Sequence, residues 1–252
     1  MTGPRLSAGV PAGVRIRQLP VARTARVAVT GAAPAAAREL WYLLHGYAML
    51  APAFLGDAAV LDDGTRMLVA PEALSRFYDG GPSDRMQHKE IPVGASWMTR
   101  EERETEIADA IAYLDSVHAM VAGEFAGAGV PLPPVTLLGF SQGGATAARW
   151  IASGRSPVSR FILWGSSMAH DVDIASDDAP LRRVETIIVA GTRDIFATPR
   201  AVERETERLT SAGLAFRHLS FDGGHRLDDD TLRAIAGVDV NAEANADATG
   251  AK

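Results

Sequence analysis

Residues 134–144 read Pro134-Val135-Thr136-Leu137-Leu138-Gly139-Phe140-Ser141-Gln142-Gly143-Gly144, and this stretch decides the fold. Val135 to Leu138 is a short apolar run of the kind that fills a strand buried on both faces. Ala145 to Ala152 is helix-forming. Between them stands G-x-S-x-G, which between a strand and a helix reads as a nucleophile elbow, a sharp turn holding the serine hydroxyl at the strand end. Glycines let neighbouring backbones approach where a Cβ would clash, and a helix N-terminus stabilises negative charge beside the serine. The competing reading is an ordinary Gly-rich turn. A P-loop is excluded, because Ala145 rather than Lys follows Gly144.

Outward from this stretch, strand-like and helix-like segments alternate, the pattern of a largely parallel sheet covered by helices on both faces. Val14 to Leu19 and Ala25 to Thr30 alternate in polarity and predict an opening antiparallel pair. Glu39 to Leu44, Arg66 to Ala70, Val135 to Leu138, Arg160 to Trp164 and Thr186 to Ala190 predict buried central strands, and Leu214 to Phe221 the last, about eight in all. The clearest helix spans Arg100 to Ala122. Thr99 and Glu102 fit a capping box, and Ile107, Ile111, Leu114, His118 and Val121 share one helical face. A second helix begins at Thr198-Pro199, a cap followed by proline, and runs to about Ser211. A third covers about Leu227 to Ala236 and stops at Gly237.

A serine hydroxyl is a weak nucleophile until a base takes its proton and an acid orients that base. On this architecture the chain order is Ser, acid, His. Asp194 follows the strand-like run Ile187 to Ala190, in the turn Gly191-Thr192-Arg193-Asp194. His225 follows Phe216 to Phe221, in Asp222-Gly223-Gly224-His225. Both fall at the sheet edge that carries Ser141. Asp171, Asp173 and Asp222 are rival acids, and Asp194 could serve as a turn or cap residue. His88, His118, His170 and His218 fit loop, helix-face or strand roles. An acyl-transfer site also needs two N–H donors for the oxyanion. The amide of Gln142, after the serine, is one. Leu43-Leu44-His45-Gly46-Tyr47 follows the third strand and offers the amide of Tyr47 as the other, with the His45 side chain bracing the loop.

These pieces together resemble an α/β-hydrolase, and specifically the phospholipase/carboxylesterase family that includes the acyl-protein thioesterases. The resemblance rests on Leu43-Leu44-His45-Gly46, Gly139-Phe140-Ser141-Gln142-Gly143-Gly144, the Gly191-to-Asp194 turn and Gly223-Gly224-His225. It spans about residues 40 to 236. It implies a triad of Ser141, Asp194 and His225 and oxyanion amides on Tyr47 and Gln142. Val93 to Met98 resembles a family region beside the acyl site, so Trp97, Met98 and Phe140 are expected to line the pocket. One departure stands out: many members read H-G-x-G, whereas this chain has His45-Gly46-Tyr47-Ala48. No insertion before Asp194 is long enough for a large lid domain, so the stretch from Phe77 to Met98 is the expected pocket wall.

The chain has 252 residues, 25 Lys and Arg against 31 Asp and Glu, and a formal charge of −6. That balance opposes nucleic-acid binding, which needs a basic patch. The absence of Cys removes disulfides, thiolate metal sites and a cysteine nucleophile. No stretch has the length of a membrane span, and Pro4, Arg5, Pro11, Arg15 and Arg17 interrupt any signal-like apolar run, so cytoplasm is the expected compartment. Residues 1–237 are expected to form one domain and 238–252, Ala-rich and polar, a flexible tail. The expected activity is a serine esterase acting on short to medium acyl esters without metal or cofactor. A thioesterase or lysophospholipase using the same site is the alternative. A non-catalytic binding protein on the same scaffold is a third reading. The pattern permits a homodimer and does not require one.

Overall fold

The computed structural model describes residues 13–81, 90–155 and 157–237. Seven strands form one sheet: β1 (Val27–Gly31), β2 (Glu39–Leu44), β3 (Arg66–Pro71), β6 (Val135–Phe140), β7 (Val158–Trp164), β8 (Glu185–Gly191) and β9 (Phe216–Phe221), in spatial order β1-β3-β2-β6-β7-β8-β9. All neighbours are parallel except β1, which runs antiparallel to β3. The remaining strands, β4 (Ser75–Tyr78) and β5 (Val93–Ser96), form a separate antiparallel pair. Among the described residues there are five helices: α1 (Ala51–Asp57), α2 (Arg103–Gly127), α3 (Gln142–Ser153), α4 (Pro199–Ser211) and α5 (Asp229–Ala236).

Successive residues of a strand face opposite sides of a sheet, and the uninterrupted apolar run of β2 therefore feeds two cores. Leu40, Tyr42 and Leu44 pack with Leu114, Val121, Phe125 and Trp150 beneath α2 and α3. Trp41 and Leu43 pack with Phe54, Leu61, Leu232 and Ile235 beneath α1 and α5. Each such side chain removed from water contributes roughly 1.5–3 kcal/mol, so a strand apolar at every position is stable only in this doubly covered setting.

Seven of the eight expected strands lie in the sheet. Val14 to Leu19 does not: it forms no strand, and Val14, Ile16 and Leu19 are exposed. Its alternation is strand-like, but a strand exists only where a neighbour takes its N–H and C=O groups. This segment is tied instead by Gln18, whose amide donates to Glu102 and to the hydroxyl of Thr105, each at 2.8 Å. The capping box also shifts. α2 begins at Arg103, Glu102 adopts a left-handed conformation, and Glu106 supplies the carboxylate that reaches back to the N–H and hydroxyl of Thr99. The Thr198 cap forms as expected, accepting from the N–H of Ala201. The expected tail, 238–252, lies outside the described residues. Between β7 and β8 the chain forms loop and one short 3-10 turn, Pro180–Arg183, with no large lid.

The chain order switches between β2 and β6. β3 lies on one side of β2 and everything after β5 lies on the other. In open α/β sheets, ligands bind beyond the carboxyl ends of the strands at such a switch point. The His45 loop and Ser141 follow those two strands.

Candidate active site

β6 ends at Phe140 and α3 begins at Gln142, leaving Ser141 alone in the turn with φ +52° and ψ −120°. A non-glycine residue held there is strained, at a cost of order 1–3 kcal/mol. The surroundings enforce it. Ser141 N–H donates to Trp164 O at 2.9 Å, and its carbonyl accepts from Gly144 N–H at 2.9 Å. α3 sits so close to β2 that a Cβ on Gly143 would stand 2.2 Å from the carbonyl oxygen of Leu44. Only glycine allows that approach. The amide of Gln142 opens α3, and first-turn amides of a helix lack intrahelical partners.

Asp194 lies just past β8 and His225 just past β9. Asp194 is buried, and its two oxygens have separate tasks. Oδ2 lies 2.7 Å from Nδ1 of His225, while Oδ1 accepts from the N–H groups of Phe196 and Ala197, each at 2.8 Å. Three hydrogen bonds thus fix the carboxylate, and the carboxylate fixes the imidazole. The His225 ring packs between Phe140 and Phe196, at 4.7 and 4.8 Å between centroids. Its loop is held further by Trp164, whose Nε1–H donates to Arg226 O at 2.9 Å.

The rival acids are engaged elsewhere, and His88 lies outside the described residues. Asp171 pairs with the buried Arg149 of α3 and with Arg103, and hydrogen bonding to Arg149 lowers its pKa to about 2. Asp173 caps the turn at Ala175 and Ser176, and Asp222 pairs with Arg193. His118, half-buried on α2, meets the hydroxyl of Tyr42 at 3.0 Å.

A cavity of about 580 Å³ opens at the switch point, lined among others by Gly46, Tyr47, Phe140, Ser141 and His225. Ser141, His225 and the Tyr47 loop therefore share one space, with Asp194 behind His225. Tyr47, which lines that space, and Phe196, which packs on His225, are exposed aromatic side chains. Phe140 lines this cavity. Trp97 and Met98 do not. Trp97 is buried against His45 at 5.2 Å and lines a different hollow, between residues 19–27 and α2. The carbonyl of Met98 accepts from the Gln142 side chain. The sequence places them near the site, but the Gln142 amide turns them into its support: Oε1 accepts from Trp97 N–H at 3.0 Å while Nε2 donates to Met98 O at 2.9 Å.

The loop after β2 is a second constrained turn. His45 is fully buried. Its Nδ1 is 2.7 Å from Gly46 O, and its Nε2 accepts from Ala73 N–H at 3.0 Å. Trp97 Nε1–H donates to His45 O at 2.8 Å. Ala48, where the related pattern has glycine, takes φ +62° and is pinned by its N–H to Ala95 O at 3.0 Å. Sequence reading missed Trp164 and Gly165. A Cβ on Gly165 would press within 3.2 Å of the His225 ring, a constraint visible only once the loops after β7 and β9 meet across the end of β8.

Neither a protein-family model nor a curated protein matches the chain. Solved structures do. Esterase PE8 superposes with a TM-score of 0.61 at 20% identity, covering 85% of this chain and 97% of that protein. A carboxylesterase from Mesorhizobium loti gives 0.61 at 21%, covering 80% and 88%. SOBER1 from Arabidopsis thaliana gives 0.57 at 19%, covering 80% and 97%. The protein therefore has the α/β-hydrolase fold. Among the described residues no group of three or more His, Asp or Glu side chains is placed to hold a metal ion, and no helix is long and apolar enough to cross a membrane.

Proposed function

We propose that the protein is a serine hydrolase that cleaves carboxylic esters of short to medium acyl chain through an acyl-enzyme. The observation that carries this reading is the His225–Asp194 pair at 2.7 Å opening on the same cavity as Ser141, itself held at positive φ on a strand-to-helix turn. Ser141 Oγ attacks the acyl carbon while His225 Nε2 takes its proton. The Tyr47 and Gln142 amides receive the oxyanion. The tetrahedral intermediate collapses, the ester C–O bond breaks, and His225 returns the proton to the leaving alcohol. Water, deprotonated by His225, attacks the acyl carbon; the bond to Ser141 Oγ then breaks, His225 returns the proton to that oxygen, and the acid leaves. Asp194 stays ionised and stabilises the imidazolium. Two of the structural neighbours are by name an esterase and a carboxylesterase, which supports an oxygen ester as substrate over a thioester. The lack of a large lid between β7 and β8 supports short to medium acyl groups over long buried chains.

Hydrolysis of p-nitrophenyl esters of increasing acyl length, beside acyl-thioesters and a lysophospholipid, tests the substrate class. Ester turnover highest for the shorter acyl groups is expected, and faster thioester or lysolipid turnover would move the assignment to those substrates. Ser141→Ala should lower kcat by several orders of magnitude, and a variant with wild-type esterase activity would refute the triad.

A further inference from the structure

The buried ring of His45 has no route to the substrate in the mechanism above, yet it is tied at both nitrogens. Ala73 N–H donates to Nε2, so Nε2 carries no proton and the neutral ring carries its proton on Nδ1. Burial favours that neutral form and lowers the His45 pKa. Nδ1–H therefore donates to Gly46 O, at 2.7 Å. The acceptor belongs to the peptide unit that ends in the N–H of Tyr47. That unit is planar and trans, so its C=O and N–H point in opposite directions. Whatever fixes the carbonyl of Gly46 fixes the aim of the Tyr47 amide. A second, longer bond, Met49 N–H to Gly46 O at 3.3 Å, closes the turn on the same oxygen. Gly46 and Tyr47 both line the cavity that holds Ser141.

We propose that His45 is a positioning residue for ester hydrolysis: by holding Gly46 O from inside the protein, it aims the Tyr47 amide outward at the oxyanion. This rests on the serine hydrolase reading. The His45 ring is held in turn by Ala73 and packed against Trp97, whose indole N–H holds the His45 carbonyl. The device is a rigid lever between the core and the reacting oxygen.

The test compares His45→Asn with His45→Gln. The Asn side chain places its amide near Nδ1 and keeps a donor for Gly46 O. The Gln side chain reaches toward Nε2 and loses it. Loss of a whole oxyanion donor costs about 10²–10³ in kcat. Loss of its aim, with Met49 still bonded, should cost His45→Gln about 10- to 100-fold in kcat with KM changed less than about threefold. Affinity for a boronic acid that mimics the tetrahedral intermediate should fall in parallel, and His45→Asn should recover most of both. Equal losses in the two variants, or folded variants with wild-type kcat and boronate affinity, would overturn the proposal. Nitrogen NMR of the wild-type histidines decides the matter even where a variant does not fold: the proposal requires the Nδ1–H tautomer at His45, and the Nε2–H tautomer would refute it. Stoichiometric labelling of Ser141 by a fluorophosphonate separates failure of the lever from failure of the hydrolase reading, since only the latter predicts an unlabelled wild-type protein.

Discussion

The candidate site is made of two strained turns on adjacent parallel strands, and they are strained by different means. The turn after β6 puts Ser141 at φ +52°, and the turn after β2 puts Ala48 at φ +62°. The first is held mainly by backbone: a bond to the Trp164 carbonyl, one from the Gly144 N–H, and a close approach that only Gly143 permits. The second is held largely by side chains: the turn's own His45 to Gly46 and to the remote Ala73, and the remote Trp97 to His45. The Gln142 side chain joins the two turns through Trp97 and Met98. A turn built from backbone and glycine is written in a few consecutive residues. A turn built from side chains is written across the chain, and its precision depends on each brace.

The comparison can be broken at the backbone end first. Gly143→Ala puts a Cβ into the Leu44 carbonyl, so α3 and the β2 loop must separate. A displacement near 1 Å can cost about 10²-fold in rate. We expect at least that fall in kcat for ester hydrolysis, together with a lower Tm. An unchanged kcat would show that the close approach is not needed.

Gln142→Ala acts at the join. It leaves the backbone amide in place but strands the N–H of Trp97, a loss of roughly 1–3 kcal/mol. For a chain of this size that lowers Tm by roughly 2–4 °C per kcal/mol, measurable by thermal unfolding, while kcat should stay within about tenfold. A collapse of kcat with unchanged Tm would place the side chain in the chemistry rather than in the support.

The side-chain end is sharpened by pH. His45 and His118 are both held below the ordinary histidine pKa, chiefly by burial. The unfolded chain therefore binds protons below about pH 6.5 that the folded protein does not, and their stabilisation, full above that value, is lost as pH falls toward the folded values. Tm should decline from pH 7 to pH 5, and less steeply in His45→Asn. Asp171, at about 2, acts in a lower window. Equal slopes in the two proteins would refute the contribution of His45.

The smallest effect is expected from Ala48→Gly. Left-handed backbone costs a non-glycine residue roughly 1–2 kcal/mol, and the extra unfolded freedom of glycine takes back roughly 0.5–1. A gain of up to about 1.5 kcal/mol in chemical denaturation is expected. A clear loss would mean that the methyl group packs usefully against Gly94, whose backbone lies against Ala48.

This contrast explains what the sequence made legible. The elbow, the parallel order and the Ser, Asp, His succession follow from local runs of residues with few physical solutions. Positions such as Asp194 and His225 are set by where strands end, and strand ends are marked by Gly and Asp. The missing first strand, the shifted start of α2 and the real places of Trp97 and Met98 were not legible. Each depends on a partner outside the local run: Gln18 on Thr105 and Trp97 on His45, far along the chain, and Thr99 on Glu106, one turn beyond the expected capping residue. Alternating polarity does not say whether a neighbouring strand exists, and an aromatic residue near a motif does not say which side of the loop it supports.

The most direct measurement of the central claim is reaction of the folded protein with a fluorophosphonate, followed by mass spectrometry of the peptides. The account predicts one adduct per chain, on Ser141, formed in the wild type and absent from Ser141→Ala. A folded wild-type protein that stays unlabelled, or carries the adduct on another residue, would contradict it.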